Sequence, residues 1–451
     1  MKVRLAFVGL MVGLCWKSAA VWGDNPIVNT RYGADPSARV WGGQMWVYAS
    51  HDRNDAQEYD MNDYHVYSSD DLKNWTDHGA IIDLKSIPWA KSHLWAPDCI
   101  EKNGTYYLYF PASISTKYDF RIGVATSKSP SGPFVAQTQP FAGVSGIDPG
   151  VFIDDDGKAY LYWAAGGVMA ARLKPNMIEL DGVPQKVEGI EKFFEGPSMF
   201  KRQGKYYLTY PAKQEGGSGD GGSGQNYDYA IGNSPLGPFE YKGTWTQSAS
   251  GGNIHGSQVE WDRHWYCVYH DYSTSFGRQK SGFKRALRVD ELEFNPDGTI
   301  KPLVWTSAGP PKLKNLNPFE RVEAETIGGS DVPEGEHAVS TEPCSEGGQH
   351  VSQIENGDWI KYANVDLGEG ATHFEARLAA PHEGAKMELR LDSLSGQLIG
   401  ICAVPNTGDW QKWRTASCDL KGAKGVRDLY VRFTGDGQGG LANFDWFQFK
   451  K

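Results

Sequence analysis

Three acids stand in the same sequence setting: Asp35 in GADPSA, Asp148 in GIDPGVF and Glu195 in FEGPSMF. Each is followed within two residues by proline, then by a small residue or turn and a strand crowded with aromatics. A carboxylate at one such place ordinarily accepts backbone N–H bonds. Three of one form point instead to shared chemistry. Hydrolysis of an acetal needs two carboxyl groups flanking the scissile bond, one to protonate the leaving oxygen and one to activate water or attack. A third acid beside the proton donor raises its pKa by like-charge repulsion and keeps it protonated at neutral pH.

Acids this far apart in sequence meet only if a repeating architecture delivers them to one place. One pattern recurs every 50 to 60 residues or so: GGQMWVYASHD (42–52), KNGTYYLYFPAS (102–113), DDGKAYLYWAAG (155–166), RQGKYYLTYPAK (202–213) and WDRHWYCVYHD (261–271). A second motif, a strand ending in a Ser/Pro/Gly turn, follows several copies, as in IGVATSKSPSGPF (122–134) and IGNSPLGPF (231–239). Units of this length made only of strands predict propeller blades. Five copies predict an all-β chain with a five-bladed β-propeller over 24–305, whose inner strands converge on one funnel. A Pro, Gly and Asn cluster marks a linker at 306–319. The remainder, 320–451, alternates polar and apolar residues and reads as a separate β-sandwich of jelly-roll type. The Gly/Ser-rich segment 214–226 reads as a mobile loop with no phosphate-cradling role.

Trp95 in HLWAPD offers an apolar wall for a sugar face, or else a core ring. The triplet Asp154, Asp155 and Asp156 ahead of Gly157 suits a hairpin tip, and its spacing does not match an EF-hand loop.

GADPSA, HLWAPD, GIDPGVFIDDDGKAYLYW, FEGPSMF and NIHGSQ (253–258), in that order, resemble glycoside hydrolase family 43. The resemblance implies a five-bladed propeller and an inverting mechanism, with Asp35 as general base, Glu195 as general acid and Asp148 orienting Glu195 and raising its pKa. It further implies that Arg285 reaches the innermost sugar, with Arg288 close enough in sequence to be confused with it. His255 would stand on the propeller axis beside a cation, commonly calcium; because Ca²⁺ prefers oxygen ligands, its other ligands would have to be water. VEAETIGG (322–329), ENGDWIKYANVDLG (355–368), NTGDWQKWRT (406–415) and LANFDWFQFK (441–450) resemble carbohydrate-binding module family 6. That likeness implies that Trp410 stacks on sugar and Asn443 hydrogen-bonds to it, and that Glu323, Glu325 and Asp445 hold a structural Ca²⁺. Gln353 stands where many members carry a second aromatic, which removes one flat face from a sandwiched pyranose.

Composition sets limits. Aromatics reach 13%, with 16 Trp, 22 Tyr and 54 Gly, which favours short strands, tight turns and sugar-stacking surfaces over helices. The formal charge of -10 with no basic patch excludes nucleic acid and anionic membrane as expected partners. A basic start, an apolar run over 5–14 and Ser18-Ala19-Ala20 predict a signal peptide at 1–23 and a secreted or periplasmic protein. Cys15 suits a lipoprotein less well, since bulky Leu14 precedes it. Removing the signal leaves five cysteines, an odd number, of which Cys402 and Cys418 are near enough in sequence to bridge.

Together these features predict a secreted, monomeric glycoside hydrolase, of α-L-arabinofuranosidase or β-xylosidase type, acting on plant cell-wall polysaccharide. Alternatives on the same fold are a β-galactosidase or galactanase and an endo-arabinanase. A non-catalytic glycan-binding protein is the alternative of another class, and the three acids argue against it. The WMNDPNG-type opening of a retaining fructan-cleaving family is absent.

Overall fold

A computed structural model describes residues 25–213, 225–247, 252–272, 283–331, 339–436 and 439–451. The signal-peptide and Cys15 expectations lie outside the described residues, as does nearly all of the 214–226 segment. The chain is all-β, with 54% strand and 1% helix.

The first part forms five antiparallel sheets in chain order. The first contains β1 (Tyr32–Trp41), β2 (Gln44–Asp52), β3 (Asp63–Ser69) and β4 (Trp75–Asp83). The second contains β5 (Ser92–Leu94), β6 (Asp98–Lys102), β7 (Thr105–Ser113), β8 (Phe120–Ser127) and β9 (Val135–Ala136). The third runs β10 (Ile147–Ile153), β11 (Ala159–Ala164), β12 (Val168–Leu173) and β13 (Gln185–Lys186). The fourth runs β14 (Ser198–Arg202), β15 (Lys205–Ala212), β16 (Asn226–Gly232) and β17 (Phe239–Gln247). The fifth has β18 (Gly256–Trp261), β19 (His264–Asp271) and β20 (Ala286–Leu292). Strands β1, β6, β10, β14 and β18 touch one another in a closed cycle.

The five aromatic repeats of the sequence are β2, β7, β11, β15 and β19. Period-two alternation lets each serve two cores at once. In β7, Leu108 and Phe110 pack toward the first sheet while Tyr109 packs toward the third. In β11, Leu161 and Trp163 face one neighbour and Tyr160 and Tyr162 the other. The cycle closes in β19, where Tyr266 and Val268 join a core with Met45 and Val47 of β2. Most of these aromatics are therefore core residues rather than sugar platforms. Their hydroxyls find buried carbonyls, as buried tyrosines require: Tyr48 donates to Pro130 O at 2.7 Å and Tyr162 to Pro235 O at 2.6 Å. Both acceptors belong to the Ser/Pro/Gly turns of the next sheet, so the two sequence motifs bond to each other.

The second part has two sheets around one core. Its strands are β21 (Val322–Glu323), β22 (Thr326–Ile327), β23 (Gly329–Ser330), β24 (Ser340–Pro343), β25 (Gln349–Ile354) and β26 (Trp359–Asp366), followed by β27 (Ala371–Ala379), β28 (Lys386–Leu391), β29 (Leu398–Ala403), β30 (Arg414–Ala423), β31 (Val426–Thr434) and β32 (Ala442–Lys450). One sheet orders β24-β25-β32-β27-β30 and the other β23-β26-β31-β28-β29.

The two parts are joined more closely than a linker implies. Strand β22 pairs with β4, adding a fifth strand to the first sheet and covering an edge that would otherwise expose unpaired backbone. Asn74 accepts from Ala363 N at 2.7 Å and donates to Ala363 O at 2.9 Å. Within 306–319, Leu313 N bonds Asp71 O and Leu316 N bonds Asn364 O, so this segment is packed between the parts. The five described cysteines are free thiols; Cys402 and Cys418 perturb each other across adjoining strands β29 and β30.

Candidate active site

Strands β1 and β10 each carry their acid at a break in register, between Ala34 and Ser37 and between Ile147 and Gly150. Asp35 and Asp148 occupy these bulges with φ of 50° and 55°, a left-handed conformation that Asp tolerates better than most residues. Pro36 and Pro149 follow and have no N–H to give the ladder. A bulge of this kind re-aims a side chain. That is the physical content of the Asp-Pro motif.

Glu195 comes from the turn ahead of β14. A Cβ on Gly150 would lie 2.3 Å from Pro197 O, so only glycine lets β10 approach this turn so closely. The approach allows Gly196 N to donate to Asp148 Oδ2 at 3.0 Å, fixing Glu195 beside Asp148. Gly196 has φ of 59°, and a Cβ there would meet His255 Nε2 at 2.8 Å.

A cavity of about 270 Å³ is lined by Asp35, Asp148 and Glu195 together with Trp95, His255 and Arg285. Tyr59, Met61, Ile147, Phe194, Gln225 and Asn253 complete it. The structure thus brings these six residues, all singled out from sequence in the first part of the chain, to one place. Arg288 instead pairs with Asp271 at 2.7 Å, away from the cavity.

The three acids have different electrostatic surroundings. Asp35 Oδ1 accepts from Arg285 Nη1 at 2.8 Å and lies 3.6 Å from His255 Nδ1, while Ser50 Oγ donates to Oδ2 at 3.0 Å. Burial pushes its pKa up, but Arg285, His255 and His270 outweigh burial and hold it far below the usual carboxylate range. Asp148 is raised, chiefly by burial, with the Asp35 charge adding to it. Glu195 is raised by burial and then by the Asp148 charge; Gln225 Nε2 donates to its Oε1 at 3.2 Å. The cavity therefore holds Asp35 ionised opposite two acids that are both raised, of which Glu195 is raised further and keeps its proton while Asp148 carries the charge beside it. His255 is raised by Asp35, Asp148 and Glu195 against the opposing effect of burial.

Arg285 is 1% exposed and fully engaged with acids rather than projecting freely into the cavity. Asp52 takes its Nε and Nη2 at 2.9 and 2.8 Å, and Tyr59 stacks on the guanidinium at 5.0 Å. Trp95 is half-buried, donates its indole N–H to Tyr59 O at 2.7 Å and packs on Phe120. Sequence reasoning missed Asp52, Tyr59, Gln225, Asn253 and His270. Of these, Asp52 ends the aromatic repeat of β2 and His270 is the last residue but one in that of β19, a positional signal that could have found them. Asp98, in the quoted HLWAPD, is also part of the ring: it accepts from Ser37 Oγ, Arg39 Nη2 and Val151 N, tying β1, β6 and β10 together. The Asp154–Asp156 turn is exposed at Asp155 and Asp156, whereas Asp154 binds Lys201 at 2.6 Å and Tyr206 at 2.6 Å in the next sheet.

In the second part, Trp410 is 38% exposed, while Asn443 is buried and donates its amide to Trp410 O at 2.9 Å. Asn443 thus holds the Trp410 loop. Gln353 lies in the β25 bulge opposite β32, exposed, with φ of 56°. Glu325 Oε2 and both Asp445 carboxylate oxygens are buried without a hydrogen-bond partner, while Glu323 turns to Arg321 at 2.7 Å.

Residues 23–300 match Glycosyl hydrolases family 43, and residues 330–451 match Carbohydrate binding module (family 6). The arabinoxylan arabinofuranohydrolase of Bacillus subtilis (strain 168) is 34% identical, over 94% of this chain and 92% of its own length. A xylosidase/arabinosidase 43A of Humicola insolens is 35% identical over 61% of this chain and 98% of its own length. Among solved structures, a Bacillus subtilis family 43 arabinoxylan arabinofuranohydrolase in complex with cellotetraose superposes with a TM-score of 0.83 at 32% identity, covering 95% of this chain and 98% of the other. A compost-metagenome β-xylosidase/α-arabinofuranosidase with xylotriose, in a calcium-free form, gives 0.55 at 35% identity over 62% of this chain and 96% of its own. The chain belongs to glycosyl hydrolase family 43 and carries a family 6 carbohydrate-binding module over residues 330–451.

Proposed function

We propose that this glycoside hydrolase releases arabinofuranosyl groups from arabinoxylan, with its five sheets acting as propeller blades around the cavity and its two-sheet module as a sugar-binding sandwich. The observation that carries the reading is one cavity holding ionised Asp35 opposite Glu195, which burial and the Asp148 charge keep protonated. Relatives named for arabinoxylan, one of them similar over nearly the whole length of both chains, supply the substrate class.

In this mechanism Glu195 gives its proton to the glycosidic oxygen as the C–O bond breaks. Asp35 takes a proton from a water that attacks the anomeric carbon from the other face. Because Asp35 is a weak base, its proton transfer completes only as the new C–O bond makes the water acidic. Asp148 orients the Glu195 turn through Gly196 and keeps the acid protonated by its charge. Arg285 and Asp52 hold Asp35 in place. Inversion of the anomeric centre follows from attack by water without a covalent sugar–enzyme bond.

The test is product analysis on wheat arabinoxylan, 4-nitrophenyl α-L-arabinofuranoside and xylobiose. Free arabinose with the xylan backbone intact is expected. Release of xylose alone would favour the β-xylosidase reading, which the Humicola insolens relative motivates.

Calcium has a good fit in the module and a weak one on the axis. Glu325 and Asp445 present buried oxygens without a hydrogen bond, the donor type that Ca²⁺ takes, and the Arg321 guanidinium 3.8 Å from Asp445 Oδ2 is an opposing charge. A second space of about 20 Å³ borders His255, Asp35, Asp98, Ser37, Ser198 and Ser257, and both carboxylates there are already committed to arginines, Asp35 to Arg285 and Asp98 to Arg39. There, water would have to supply most of the oxygens, and no step of the reaction is routed through an ion. Calcium at about a hundred times its Kd stabilises by about 2.7 kcal/mol. EDTA should therefore lower the melting temperature of the module by several degrees, and Glu325→Gln should remove the calcium dependence. Identical melting with and without EDTA would refute the module site.

A further inference from the structure

A second cluster of ligand-type side chains lies in the first sheet, outside the cavity. His51 on β2 and Asp63 and His65 on β3 each offer one ligand atom, and these atoms all lie within 4.8 Å of one another. Among the described residues no other three His, Cys, Asp or Glu side chains meet this closely. Strand register explains the cluster. Ser50 pairs with Tyr64, so the next step along the ladder sets His51 across from Asp63, and His65, two residues on, shares the face of Asp63.

The distances suit a small cation. His51 Nδ1 is 2.7 Å from Asp63 Oδ1, and His65 Nε2 is 4.0 Å from the same oxygen. Ligands about 2.0–2.1 Å from a tetrahedral Zn²⁺ stand roughly 3.3 Å apart, between these two values. Small side-chain rotations would close the set. The second layer is also in place. His65 Nδ1 lies 3.3 Å from Asp77 Oδ1, so Asp77 takes its N–H and leaves the Nε2 lone pair facing Asp63. Asp77 is itself fixed by Gly79 N at 2.8 Å, Thr341 Oγ1 at 2.6 Å and Arg31 Nε at 3.3 Å. A metal-ligating histidine typically donates its other nitrogen to a carboxylate in this way. The Arg31 charge opposes a cation, and Asp77 stands between them to offset it. The site is reachable, since the His51 and Asp63 side chains are 17% and 28% exposed.

We propose that His51, Asp63 and His65 form a binding site for a divalent transition metal of the Zn²⁺ type, with a fourth position open to water. Two imidazoles and one carboxylate select such a metal over calcium. The site would clamp the ends of β2 and β3, between which the chain carries Tyr59 and Met61 of the cavity wall. It also lies one residue from Asp52, the anchor of Arg285.

The test is titration of EDTA-stripped full-length protein with ZnCl₂ in excess calcium, by calorimetry, with Co²⁺ absorption as a second readout. Wild type should bind one Zn²⁺ that His51→Ala lacks or binds at least about tenfold more weakly. Co²⁺ should give tetrahedral-type bands in wild type and not in His51→Ala. His264→Ala, at an exposed histidine elsewhere, should leave binding unchanged. Wild type and His51→Ala with the same stoichiometry and affinity, each melting normally, would overturn the proposal and leave only a hydrogen-bonded His–Asp relay. His65→Gln repeats the comparison from β3.

Discussion

Glu195→Gln loses about 10²–10⁴-fold in kcat on arabinoxylan, the range that a positioned acid contributes. The loss is much smaller on an aryl glycoside whose phenolate leaves without protonation. Gln keeps the shape and can still accept from Gln225, so the fold is retained. The sign of the pH effect follows from the raised pKa of Glu195. Its proton is needed for catalysis, so wild-type activity falls as pH rises through that elevated value. Ionising the group inside the protein also costs stability. That contribution is fully present below the ordinary glutamic acid pKa of about 4.3 and is lost as pH rises through the folded-state value. The Gln variant should therefore gain in melting temperature relative to wild type as pH is raised, and its residual aryl-glycosidase activity should lose the alkaline limb. Equal losses on both substrates with an unchanged pH profile would remove Glu195 from the role of acid.

Asp35→Asn should lose a similar factor, about 10²–10⁴ in kcat, but on every substrate, because water must be activated whatever the leaving group. Two further consequences separate this from a general loss of structure. The Asp35 charge helps raise Glu195, so the alkaline limb of the residual activity should move to lower pH. Asp35 stays ionised far into acid, so no acidic limb from this group is expected in wild type above about pH 4. Azide, a nucleophile that needs no base, should restore turnover in the variant. Failure of azide rescue, with a normal melting temperature and unshifted pH profile, would assign Asp35 a purely structural role.

How much of this was readable in the sequence differs from element to element. The aromatic repeats were legible because alternation over a buried two-sided strand leaves a strong local signature, and β2, β7, β11, β15 and β19 fall on the five copies. Asp35 and Asp148 were legible because a left-handed Asp followed by Pro is a local event, written in adjacent residues. Glu195 was legible through the Gly196-Pro197 turn that follows it. Asp52 was not, since its role depends on Arg285, 233 positions away, and no local pattern marks such a pair. Gln225 and Asn253 reach the cavity from outside the strands, and only closure of the ring brings them there. Strand β22, within the C-terminal part, also pairs with β4 of the first sheet, a cross-part contact with no periodicity to reveal it. The His51, Asp63 and His65 cluster escaped for the same reason, being set by register between two strands rather than by spacing within one.

The central claim is a single displacement by water between Asp35 and Glu195. It is tested most directly by proton NMR of the first sugar released from an α-L-arabinofuranoside, recorded before mutarotation. The β-anomer should appear first and decay toward equilibrium. An α-anomer as the first product would require a covalent intermediate and would contradict the assignment of Asp35 as a base.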